Sequence, residues 1–244
     1  MLTNFIRKKI IQTESWDIDQ TLILAVVILC SLGLVMVSSA TLDYSYEKTG
    51  SSFHFITRHS IYMILGLVSA SILTRVKLDF FNDYSKYFLI MSFALSLIVF
   101  LPGLGKEING ATRWLNLGFV TLQVTEISRL FLLIWICSYL SRNNIDLAFN
   151  KCLLMVILLS TILVFQRDLG SIILLFTSFF ALALILGLSL KKFFTYLIIV
   201  SLAIIPLIIL QPYRLARMVS FMDPWKDPSG SGYQLMQSLL AFGK

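Results

Sequence analysis

The stretch Thr21-Leu-Ile-Leu-Ala-Val-Val-Ile-Leu-Cys-Ser-Leu-Gly-Leu-Val-Met-Val-Ser-Ser-Ala40 decides the fold class. Asp19 and Asp43 bracket it, leaving 23 uncharged residues between them. About 20 apolar residues in a helix cross the hydrocarbon core of a bilayer, so this run reads as a membrane span. Arg7, Lys8 and Lys9 precede it, and Ser38 and Ala40 imitate a cleavage site. The apolar region is longer than that of a signal peptide and more spans follow, so an uncleaved first helix is expected.

Working outward, charged residues punctuate six further apolar runs: His59 to Thr74, Tyr87 to Leu101, Thr121 to Leu140, Phe149 to Phe165, Leu169 to Leu190 and Phe193 to Leu210. The second has only 16 residues and relies on Arg58 and Arg75 snorkelling. The third ends at Pro102-Gly103, and Pro206 should kink the seventh. The expected fold is all-α: a polytopic integral membrane protein with about seven helices over residues 21–210. A segment of residues 1–20 precedes them, and a polar, aromatic, turn-rich tail of residues 211–244 follows.

The composition agrees. Of 244 residues, 57% are hydrophobic and 14% charged, where a soluble domain carries about 25% charge. This excludes a soluble globular domain, a disordered chain and a collagen-like repeat. Continuously apolar runs also exclude an outer-membrane barrel. The net charge of +7 is scattered between the runs and forms no patch, so nucleic acid is not an expected partner. Cys30, Cys137 and Cys152 read as small buried hydrophobes, with no metal-site spacing.

Seven spans place the two termini on opposite sides. Basic residues number 10 on the N-terminal side and 9 on the other, or 10 against 5 without the tail. The positive-inside rule then favours a cytoplasmic N-terminus. The basic residues left outside need a further reason, and an anionic ligand is one candidate.

Four places could carry chemistry. The segment 102–120 holds Lys106, Arg113 and Trp114 among glycines. It reads either as a re-entrant or interfacial loop, or as an anion-binding loop using the planar fork of arginine. Glu126 and Arg129 share a face inside the fourth span. Ionisable groups there are costly, so they form a mutual ion pair or line a polar cavity. Asp168, before an apolar run, is either an N-cap or a charge facing the same outer cavity. In the tail, Arg214 and Arg217 stand three apart, suited to lipid head groups or to a pyrophosphate. Tyr233 to Phe242 has the pattern of an amphipathic surface helix. The sequence holds no Ser/His/Asp set, metal cluster or Walker motif.

Four motifs occur in a familiar order: Asn109-Gly-Ala-Thr-Arg-Trp-Leu-Asn-Leu-Gly118, Gln123 to Glu126, Gln166 to Ser171, and Tyr213 to Gly243. The last includes Asp-Pro-Trp-Lys-Asp-Pro and Gln-Ser-Leu-Leu-Ala-Phe-Gly. Together they resemble the FtsW/RodA (SEDS) family of membrane-embedded peptidoglycan polymerases, with wording nearer its division branch. The resemblance implies ten helices, a cytoplasmic N-terminus, a large periplasmic loop beginning near residue 211, and residence in the bacterial inner membrane at the septum. It implies glycosyl transfer on lipid II, the undecaprenyl-pyrophosphate-linked disaccharide-pentapeptide; a lipid II flippase and a non-catalytic remnant or division scaffold are the alternatives. Implied partners are lipid II, membrane lipids, a class B penicillin-binding transpeptidase and other division proteins. No cofactor is identified, and a divalent cation is compatible with the chemistry. Arg113, Arg214, Arg217 and Lys106 are the candidate substrate-binding residues; Glu126, Arg129, Asp168 and Gln123 are the candidate cavity supports. Val124 and Arg167 stand where the family motifs have proline. The family's presumed catalytic Asp, in a later His-Thr-Asp-Phe segment, has no counterpart up to Lys244. No general base is therefore expected within this sequence, which reads as the first two-thirds of a longer protein.

Overall fold

The computed structural model describes residues 19–108, 111–116, 118, 121–209, 221–226, 230 and 232–243. The chain divides into two compact units, residues 1–77 and 78–244.

The first unit is a helical hairpin. Helix α1 spans Gln20–Thr49 and α2 spans His54–Leu73. Asp19 starts α1, its carboxylate accepting from the amides of Thr21 at 2.8 Å and Leu22 at 3.3 Å. Gly50 ends it at φ 73°, a left-handed conformation that suits glycine. Among the described residues of this unit only Ser45 is buried; its hydroxyl donates to the Ser51 carbonyl across the turn. The exposed Leu, Ile and Val surface is what a lipid-facing hairpin requires.

The second unit begins with a short helix α3 (Leu78–Asp83) and then α4 (Ser85–Ile98). Three antiparallel strands follow, β1 (Gly105–Ile108), β2 (Ala111–Asn116) and β3 (Thr121–Gln123), in the order β1-β2-β3. Then come α5 (Val124–Arg142), α6 (Ile145–Phe165), α7 (Leu169–Ile185) and α8 (Leu190–Ile209). A single 3-10 turn at Pro224–Lys226 and helix α9 (Tyr233–Ala241) complete the described elements. Among the described residues five helices are long and apolar enough to cross a membrane, and α4 and α7 are shorter apolar helices. These seven coincide with the seven expected runs.

Two boundaries differ instructively. Helix α1 continues to Thr49, past Asp43, because a helix does not stop where its lipid-compatible surface stops. The fourth expected span starts three residues late: Thr121 to Gln123 pair with Asn116, Leu115 and Trp114 as strand β3. The segment after Pro102 is thus a small sheet rather than an irregular re-entrant loop. Its tight start depends on Gly105, where a Cβ would lie 2.0 Å from the Val99 carbonyl oxygen.

The core of this unit lies between α5, α6 and α7. Leu132 and Ile136, Phe149, Cys152, Val156 and Leu159, and Ile172, Leu175 and Phe179 are fully buried there. Phe149 stacks on Phe179 with centroids 5.2 Å apart. A second cluster, Val99, Leu115 and Val124, fixes the sheet to the ends of α4 and α5. The opposite end of the bundle is tied by polar groups. Ser138 donates to Asn82 Oδ1 at 2.6 Å, Arg142 Nε to the same oxygen at 2.8 Å, and Lys192 pairs with Asp146.

Helices α6 and α7 end alike. At the end of α6 the Arg167 amide bonds to the Val164 carbonyl and the Asp168 amide to that of Leu163. At the end of α7 Gly187 and Leu188 bond to Leu184 and Ala183 in the same way. This closure puts one residue in the left-handed region, a place usually taken by glycine. Gly187 has φ 97°, but in α6 the residue is Arg167, at φ 58°.

Candidate functional site

The C-terminal ends of α4 and α6 and the N-terminal ends of α5 and α7 gather at the sheet end of the bundle. Strand β2 carries Arg113 into this group. Its Nη2 donates to the Arg167 carbonyl at 3.0 Å, and its Nη1 lies 3.6 Å from Asp168 Oδ1. The Arg113 side chain is 32% exposed, that of Asp168 only 5%. Two motifs 54 residues apart are therefore joined at one point.

Asp168 is the N-cap of α7. Its Oδ1 accepts from the Ser171 amide at 3.1 Å and its Oδ2 from the Ser171 hydroxyl at 2.8 Å. The capping reading holds, and the alternative of a carboxylate exposed to an outer cavity does not: the residue is 3% exposed. A buried carboxylate needs partners, and it has two on its own helix start and one across the sheet.

Gln123 is the N-cap of α5, and its Nε2 donates to Thr125 Oγ1 at 3.3 Å. Glu126 and Arg129, one turn further on, form the mutual ion pair. Glu126 is half exposed while Arg129 is largely buried, and Arg129 Nη1 is buried with no partner among the described residues. Lys106 on β1 stands opposite Trp114 in the sheet register and is exposed. Arg214 and Arg217 lie outside the described residues. In the tail, α9 half-buries Leu235, Met236 and Leu239 and exposes Gln234, Gln237 and Ser238, as an amphipathic helix should, but Leu240 of the expected apolar side is exposed as well.

A buried polar seam runs beside this site. Ser92 donates to the Ser128 carbonyl at 2.7 Å, Ser96 to the Ser92 carbonyl at 2.9 Å, and Gln166 Nε2 to the Ser96 carbonyl at 2.7 Å. Sequence reasoning quoted Gln166 within a motif but assigned it no task. The available signal was a glutamine just past an apolar run, where a helix end leaves carbonyls open. Among the described residues no three His, Cys, Asp or Glu side chains are grouped to hold a metal. Along most of their length α7 and α8 leave a groove of about 320 Å³. Aromatic and aliphatic side chains line it, with Thr177 and Ser201 the polar exceptions.

Comparison with known proteins covers this whole arrangement. The family model for FtsW/RodA/SpoVE cell cycle proteins matches residues 20–244. A probable peptidoglycan glycosyltransferase FtsW of Coxiella burnetii is 38% identical over 237 residues, covering 95% of this chain and 64% of that protein. Its counterpart in Aliivibrio salmonicida is 40% identical over 231 residues, 93% of this chain and 57% of that protein. The chain thus spans about three-fifths of the length of these relatives. Among solved structures, one of a peptidoglycan synthase complex that coordinates polymerization and crosslinking is similar at a TM-score of 0.63 and 27% identity. That match covers 85% of this chain and 63% of the other. The chain belongs to the FtsW/RodA/SpoVE family of cell cycle proteins.

Proposed function

We propose that this chain forms the lipid-substrate side of a peptidoglycan glycosyltransferase that polymerises lipid II during septal wall synthesis. The observation that carries the reading is the Arg113 contact with Arg167 and Asp168. It assembles two family motifs into one basic, partly exposed site at the sheet end of a membrane bundle. In the proposed reaction a sugar hydroxyl of one lipid II gives its proton to a general base, which none of the residues named here supplies, and attacks the anomeric carbon of the growing glycan. The bond from that carbon to the lipid pyrophosphate breaks, and the pyrophosphate leaves with the electron pair. Positive charge fixed near the leaving oxygens lowers that barrier. Lys106 belongs to this face, Arg113 anchors it through its contacts with Arg167 and Asp168, and Arg214 and Arg217 complete the proposed basic set. Glu126, Arg129, Asp168 and Gln123 hold the helix ends that carry it. The proposal places the protein in the bacterial inner membrane at the septum, beside a class B penicillin-binding transpeptidase, with the sheet end periplasmic and the N-terminus cytoplasmic.

The α7–α8 groove does not itself offer a transport path. A path for the sugar-peptide head group across the bilayer needs polar groups along its depth, and that groove is lined almost wholly by apolar side chains. The test is binding of fluorescent lipid II to the chain in nanodiscs. Saturable binding displaced by undecaprenyl pyrophosphate is expected. Its absence would overturn the proposal.

A further inference from the structure

We propose that Arg113 is a positioning residue: it acts by holding the α6–α7 turn in place rather than by contacting the pyrophosphate itself. Both terminal nitrogens of its guanidinium are directed at the turn, one to the Arg167 carbonyl and one to the Asp168 carboxylate. Arginine is suited to this because its fork engages two acceptors in fixed geometry, which lysine cannot do.

The turn needs such a hold for two reasons. Arg167 sits at φ 58° without being glycine, and backbone strain of that kind persists only where the surroundings over-determine it. Its own amide and the Asp168 amide bond back into α6, but its carbonyl is fixed from outside, by Arg113. Asp168 is also nearly fully buried. Without Arg113 it would remain a buried carboxylate with neutral partners only among the described residues. Breaking one side of such a pair is strongly destabilising. Loss of Arg113 therefore loosens the first turn of α7 and lets the basic face shift. The ligand part of this inference rests on the proposed function; the structural part does not.

The experiment uses the full chain in nanodiscs and compares wild type, R113Q, R113K, D168N and the R113Q/D168N double variant. Without ligand, amide exchange at Ser171 should rise at least tenfold in R113Q. R113K, which keeps the charge but not the fork, should show a smaller rise. Affinity for undecaprenyl pyrophosphate should fall about tenfold in R113Q and in D168N, and the double variant should be no weaker than either. Unchanged Ser171 exchange in R113Q, or losses of affinity that multiply in the double variant, would overturn the inference in favour of direct ligation. Should R113Q not fold, R113K decides by the same two readings. A wild-type chain that does not bind the probe counts against the proposed function, and Ser171 exchange alone then decides the role of Arg113.

Discussion

Gln166 and Ser96 lie seventy residues apart, and the Gln166 side-chain amide closes the end of α4 by donating to the Ser96 carbonyl at 2.7 Å. Both residues are fully buried. The Phe100 amide turns instead to Leu97, so the Ser96 carbonyl is one of those a helix end leaves open. Gln166→Leu removes the donor and strands that oxygen in an apolar setting. We expect a loss of about 1–3 kcal/mol, read as a lower thermal midpoint in detergent. An unchanged midpoint would show that the bond contributes nothing.

Gly105→Ala should be damaging for a steric reason. The added Cβ would lie 2.0 Å from a backbone oxygen of Val99, and a backbone atom cannot swing aside as a side chain can. The expected cost is about 1–3 kcal/mol. Gly103→Ala, in open space but at φ 87°, should cost only about 1 kcal/mol. Equal melting of the two variants would contradict this ranking.

The two sites that depart from the family's prolines should respond in opposite ways. Val124 opens α5 right after the Gln123 cap, a position where proline is favoured because its missing amide has no helical partner. Val124→Pro should be tolerated within about 1 kcal/mol. Arg167 has φ 58° and donates its amide to Val164. Proline can neither adopt that angle nor make that bond, so Arg167→Pro should cost about 3 kcal/mol or more. Arg167→Gly relieves the left-handed strain but removes the side chain's own interaction, so it should stay within about 1 kcal/mol of wild type. Thermal midpoints of the three variants check the order; an Arg167→Pro variant as stable as wild type would show that the turn has a second conformation.

The Glu126–Arg129 pair should be asymmetric. Arg129 is the more buried partner, so Glu126→Ala leaves a membrane-embedded guanidinium without its counter-charge. A loss of about 2–3 kcal/mol is expected. Arg129→Ala leaves the carboxylate of the more exposed partner, which can be neutralised by a proton, and should cost about 1 kcal/mol. The double variant should recover much of the first loss. Additive losses would show that the two groups stabilise the helix independently.

The helices were readable because membrane spans are written in charge punctuation: Asp19, Arg58, Arg75, Arg142 and Lys191 each lie at or near an end of an apolar helix. Asp168 was readable as a cap because an acid before an apolar run has one local use. The sheet was not readable. Its strands are three to six residues long and show no sustained alternation. Thr121 to Gln123 also merges into the following apolar run. The Arg113–Asp168 contact and the Gln166–Ser96 bond were beyond reach for another reason: each joins segments that only the packing of α4 to α7 brings together.

The brevity of α4 has a consequence for access. Fourteen residues rise about 21 Å, against about 30 Å of hydrocarbon. With Asp83 and Lys86 at one bilayer surface, a straight α4 delivers the sheet several ångströms before the other. Arg113 and Trp114 would then sit below the head groups of that leaflet. Bromine-labelled lipids of graded depth, read on a variant whose sole tryptophan is Trp114, would locate this level. A shallow reading would refute it. At that depth the bilayer itself becomes the selector: a molecule anchored in the leaflet arrives by lateral diffusion, while a water-borne anion must first leave water.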